Sequence, residues 1–139
     1  MDIIHTSQII ITDKNRGNLY LEKWNRFSDI AFFGWKSIPW ESPQECATRE
    51  LLEETWILAS NELVQIEQDE TPVKFRQWNF SSTFFLLELQ PDALQKILKE
   101  RDNVIEKTLK ALITDRKSIF MPMKSEFIRK VELALNHKN

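Results

Sequence analysis

The 139-residue chain is 42% apolar and 29% charged, enough for one real hydrophobic core and too short for two domains of ordinary size. Its 19 basic and 21 acidic residues leave a formal net charge of −2, which excludes any general electrostatic pull toward nucleic acid or an anionic membrane, so a polyphosphate ligand needs a local site. Cys46 is the only cysteine, and the longest apolar stretches, such as Phe84 to Leu87, fall far short of the roughly 18 residues of a membrane span.

The opening MDIIHTSQ lacks the basic and apolar regions of a signal peptide, which with the single cysteine points to a reducing, cytoplasmic compartment. Ile3 to Thr12 is rich in β-branched residues, Asp13 to Asn18 is turn chemistry, and Leu19 to Lys23 alternates, so these residues predict a β-hairpin. Ile30 to Phe33 and Glu62 to Gln68 predict further strands. Val73 to Phe80 and Ser82 to Leu89 predict two more, paired antiparallel, which makes the sheet mixed or largely antiparallel.

Three stretches predict helices. The first starts at Ser42-Pro43-Gln44-Glu45, where serine caps, proline fits the first turn and glutamate completes a capping box, and it runs to about Thr55. The second, from Asp92 to about Ile113, sets Leu94, Ile97, Leu98, Ile105, Leu109 and Leu112 near one side, with Asp102-Asn103 as the place for a break. The third follows Met121-Pro122-Met123 and spaces Phe127, Ile128, Val131, Ala134 and Leu135 for packing on a sheet.

On the first helix Glu50, Glu53 and Glu54 stand at i, i+3 and i+4 and share a face. Like charges at those spacings repel by a few tenths of a kcal/mol per pair, which suits a cation site built from hard oxygen ligands for magnesium, manganese or calcium. A solvated face with Arg49 paired to Glu53 is the plain alternative for this string taken alone.

From Gly34 the chain reads GWKSIPWESPQECATRELLEETWI. This resembles the Nudix box, a glycine, five residues, Glu, seven residues, then Arg-Glu-U-x-Glu-Glu-x-Gly-U with U a bulky aliphatic residue. Glu41, Arg49, Glu50, Leu51, Glu53, Glu54 and Ile57 fall in register, and Trp35 and Trp56 are the misses. With each charged type at roughly 6% usage, five matched charged positions over about a hundred windows arise by chance on the order of once in ten thousand. The hairpin before the box, the strands after it and the closing Phe120-Met121-Pro122-Met123 segment extend the resemblance over nearly the whole chain.

The resemblance implies an α/β (α+β) fold, an α/β/α sandwich around a mixed, largely antiparallel sheet, as one domain over 1–139 with the box at 34–57 and a helical insertion at about 92–113. It implies Glu50, Glu53, Glu54 and Glu41 at a magnesium or manganese site, with a backbone ligand at Gly34 or Trp35. Glu54 then positions or deprotonates water and Arg49 orients the cluster. A further carboxylate is expected outside the box, where Asp115 comes first and Glu106 second. Lys36, Lys23 and Arg26 are candidates for a terminal phosphate, and Trp24 and Phe27 for flanking a nucleobase.

The implied activity is magnesium-dependent hydrolysis of a nucleoside diphosphate linked to another moiety, a nucleoside triphosphate or related small nucleotide. No nucleic acid and no membrane are expected as partners, while a second copy of the chain is a candidate. A Nudix-like binding or regulatory module is the alternative, because Trp35, Trp40 and Trp56 stand where such a box commonly has glycine. One account is a degenerate site kept for binding. The other is a codon, translated here as tryptophan, that the source organism reads as glycine, which also accounts for only two glycines in the chain. His5, His137 and Cys46 read as structural, and the remaining aromatic residues as core or pocket wall.

Overall fold

A computed structural model describes residues 2–24, 29–119 and 124–138. The β-branched start of the chain forms β1 (Ile3–Asp13), which turns at Asp13, where the carboxylate accepts the Gly17 and Asn18 amides, into β2 (Leu19–Trp24). The pairing is antiparallel with Ile11 opposite Tyr20, as the hairpin reading expects. β3 (Asp29–Ala31) continues along β2, and the chain beyond it crosses to β1, where Phe33 bridges Ile9 and Lys36 bridges Thr6.

Helix α1 (Pro43–Thr55) begins as expected, with the Ser42 hydroxyl accepting the Glu45 amide and the Glu45 carboxylate accepting the Ser42 amide. After β4 (Val64–Gln68) the expected pair of strands is redrawn. The hairpin turn falls at Arg76-Gln77, so β5 (Val73–Phe75) is short and β6 (Trp78–Leu89) is long. Arg76 there has φ 56°, a left-handed turn by a residue whose type gives no sign of it. β6 then runs parallel to β1 from Asn79 opposite Ile3 to Leu89 opposite Asp13, the longest ladder of the sheet.

The single helix expected over about 92–113 is corrected to three elements: α2 (Pro91–Glu100), β7 (Val104–Lys107) and α3 (Leu109–Thr114). The break lies at Asp102-Asn103, beyond which β-branched Val104 and Ile105 pair with Glu22 and Leu21 of β2. The apparent apolar stripe was two stripes, since Leu94 and Ile97 pack on one face of the sheet and Leu112 on the other. A 3-10 turn at Arg116–Ser118 follows, then α4 (Lys124–Leu135). Phe120, Met121, Pro122 and Met123, expected to close the domain, lie outside the described residues.

The sheet runs β3-β2-β1-β6-β4, with β7 on β2 and β5 on β6; the β1–β6 ladder is parallel and every other strand pair antiparallel. Residues of alternate parity on β1 supply two cores: Ile9 and Ile11 meet Ala47 and Leu51 of α1, and Ile10 meets Phe127 and Val131 of α4. This is the expected α/β/α sandwich with a mixed, largely antiparallel sheet. On the α4 side the buried Lys130 ammonium is held by Glu67 and Asp69 and lies 4.1 Å from the Phe84 ring centroid. Among the described residues no helix is long and apolar enough to cross a membrane.

Candidate active site

Helix α1 packs Cys46, Ala47 and Leu51 against the sheet, which turns the box carboxylates toward the loop that links β3 to the helix. Arg49 organises one half of the site. Its Nε donates to Glu41 Oε2 at 2.7 Å and its Nη2 to Glu41 Oε1 at 3.1 Å, a two-pronged pair that holds the Glu41 carboxyl below its usual range. Nη1 donates to Glu53 at 3.3 Å and lies 3.5 Å from Glu50 Oε1, while Nη2 also donates to the Lys36 carbonyl at 3.1 Å. One guanidinium thus ties the loop, Glu41 and Glu53 together, with Glu50 beside it.

Glu54 forms the other half. Its Oε1 accepts the Gly34 amide at 2.7 Å, and its carboxyl lies against that of Glu22 on β2, close enough for a shared proton. Burial, then the Glu22 carboxyl beside it, pushes Glu54 up to about 9, outweighing the Gly34 amide. At neutral pH Glu54 therefore keeps its proton until a cation displaces it. Burial also raises Glu50, against the opposing pull of Arg49.

The expected convergence of Glu50, Glu53 and Glu54 is thus divided: Glu50 and Glu54 face inward with Glu22, while Glu53 is more than half exposed and bound to Arg49. Among the described residues no set of three Asp, Glu, His or Cys side chains is already gathered as cation ligands. The donors nevertheless fit a hard divalent ion, because all are carboxylate oxygens, the ligand type such ions take. Glu22 escaped the sequence reading, since it looks like one polar member of an alternating strand. Its parity with inward-facing Tyr20 was the available signal.

Gly34 contributes its amide. Its φ is +91°, and a Cβ there would stand 2.2 Å from the Ser7 carbonyl oxygen, so only glycine lets the loop lie on β1. Gly34→Ala is expected to cost about 2 kcal/mol and to weaken the Glu54 contact, read as a lower Tm together with lost activity; a wild-type Tm would refute this account of the loop. The Trp35 carbonyl accepts the Ser7 amide at 2.9 Å.

The remaining expected residues scatter. Lys36 is exposed on the loop, and Lys23 lines a cleft of about 320 Å³ with Glu106, Lys107 and Asp115. Asp115 pairs there with Lys107 and Ser118, and Glu106 accepts the Tyr20 hydroxyl at 2.6 Å, so neither partner belongs to the box. Trp24 donates its indole N–H to Glu22 at 2.7 Å and meets the Trp35 ring edge-on. Arg26 and Phe27 lie outside the described residues.

No family model and no curated protein matches the sequence. Solved structures do match. A mutT/nudix family protein from Listeria innocua superposes with a TM-score of 0.69 at 16% identity, covering 94% of this chain and 90% of that one. The fold is the Nudix fold. C. elegans Ap4A hydrolase matches with a TM-score of 0.67 at 18% identity over 98% of this chain and 100% of its own. Shewanella oneidensis NrtR matches with a TM-score of 0.71 at 14% identity over 94% of this chain, which spans 61% of NrtR. NrtR has also been solved with a 27mer DNA, and this chain covers 59% of that protein.

Proposed function

We propose that the protein hydrolyses the diphosphate linkage of a nucleoside diphosphate joined to another moiety, a nucleoside triphosphate or related small nucleotide, in the cytoplasm. The observation that carries this reading is the buried carboxyl pair of Glu22 and Glu54 with Glu50 beside it, anchored to the Gly34 amide and set next to the Arg49 hub. Magnesium, or manganese in its place, would be held by Glu50 and Glu54 with support from Glu41 and Glu53, and would neutralise phosphate oxygens when bound. Glu54 positions and deprotonates the attacking water, Arg49 keeps the carboxylates in place, and Lys36 and Lys23 receive the distal phosphate. Trp24 borders the base, with Arg26 and Phe27 in the same roles by sequence. A mutT/nudix family protein from Listeria innocua and C. elegans Ap4A hydrolase share this fold, which supports a hydrolase reading.

A phosphate-release screen over nucleotides with magnesium tests the reading. Activity is expected to need magnesium or manganese and to vanish in EDTA; full turnover in EDTA would overturn it. The second reading, a nucleotide-binding or regulatory module with little turnover, is favoured by Trp40 and Trp56, which occupy left-handed backbone positions at φ 70° and 64°. Tight nucleotide binding without product in the same screen would establish it.

A further inference from the structure

Glu22 is only 8% exposed, yet among the described residues no lysine or arginine pairs with it. A carboxylate buried so deeply ordinarily needs a cationic partner or its equivalent. Its described polar neighbours are a neutral donor, the Trp24 indole N–H at 2.7 Å, and two other acids, Glu54 and Glu50. β2 alternation aims it, since Tyr20 and Glu22 share the face that looks toward α1, and β7 holds that stretch of strand by pairing Val104 with Glu22. The indole is itself fixed, edge-on to Trp35, whose ring lies 5.5 Å from that of Phe80. The chain thus places a rigidly held acid opposite the box from a strand that carries no part of the box.

We propose that Glu22, clamped by the Trp24 indole, is a positioning residue of the cation site: it fixes the Glu54 carboxyl from the β2 side and adds its charge to the space the cation enters. The inference rests on the hydrolase reading for its catalytic consequence, but cation binding tests it separately. Glu54 is then held at both ends, by a backbone amide on one oxygen and by Glu22 on the other side, so that its geometry is set before a cation arrives.

The test titrates Mn²⁺ into the full-length cation-free protein, following free Mn²⁺ by electron paramagnetic resonance, with Glu22→Gln, Glu22→Asp and Trp24→Phe compared with wild type. Glu22→Gln is expected to raise the Mn²⁺ Kd at least tenfold. Trp24→Phe keeps an aromatic ring but loses the N–H donor, and should raise it about threefold. Glu22→Asp, which retains the charge, should recover part of the affinity, and this rescue separates positioning from a loss of folding. Wild-type Mn²⁺ affinity in both Glu22→Gln and Trp24→Phe would overturn the inference. If the wild type binds Mn²⁺ and Glu22→Gln does not, while no nucleotide is hydrolysed, the inference stands and the hydrolase reading falls. A wild type that takes up no Mn²⁺ overturns both.

Discussion

Glu54→Gln is expected to lower turnover at least about a hundredfold while making the cation-free protein more stable at neutral pH. The catalytic loss follows because an amide can neither take a proton from water nor carry the charge that a cation needs. The stability gain has a different origin. Burial and Glu22 raise the Glu54 carboxyl from about 4.5 to about 9, so above its ordinary value the folded protein holds a proton that the unfolded chain has released. The stability that Glu54 contributes is therefore complete below about pH 4.5 and is lost as pH rises toward 9. Glutamine keeps an oxygen for the Gly34 amide and does not titrate, so the variant should lack that decline. Magnesium should raise the Tm of the wild type by mass action and leave the variant nearly unmoved. Thermal unfolding at several pH values, with and without magnesium, measures both effects. Parallel pH profiles for the two proteins would show that Glu54 is not the strained acid of this site.

The parts of this architecture that were legible in the sequence are those written in local chemistry. The Ser42 and Glu45 capping box, the Asp13 turn and the period of α4 each depend on residues within a turn or two of one another, and each forms as the sequence predicts. The hairpin turn at Arg76-Gln77 was hidden because arginine carries no preference for positive φ. β7 was hidden by coincidence of period, since Ile105 and Leu109 continue a helical spacing while Val104 and Ile105 in fact pair across to β2. In the site, Arg49 and the acids of α1 could be read from spacing along one helix. Glu22 could not, because its proximity to Glu54 is created by the fold of β2 against α1, and its parity with Tyr20 announces only the face it occupies.

The three tryptophans of the box are expected to respond to glycine in opposite directions, because the fold treats them differently. Trp40 is 99% exposed at φ 70°, and Trp56, 60% exposed, caps α1 at φ 64°. A side chain in that conformation costs roughly 1 to 2 kcal/mol, and Trp40 returns no packing to offset it. Trp56 recovers part through the Arg101 guanidinium, 3.9 Å from its ring centroid, an exposed cation–π contact worth about 0.5 to 1 kcal/mol. Trp40→Gly with Trp56→Gly should therefore gain about 1 to 3.5 kcal/mol, a rise in Tm of roughly 4 to 14 °C. Trp35 is absent from the left-handed positions, and its half-buried ring packs on Phe80, Trp24 and the core beneath α4. Removing that ring should leave a cavity and cost about 2 to 3 kcal/mol, somewhat less than for a fully buried tryptophan. It would also free the Trp24 indole that holds Glu22, so activity should fall with stability. Chemical denaturation of the three single variants decides the matter. A loss at Trp35→Gly beside gains at the other two marks Trp35 as an adapted wall of the site, whereas a gain at all three would mean that one shared cause put tryptophan where this backbone is built for glycine.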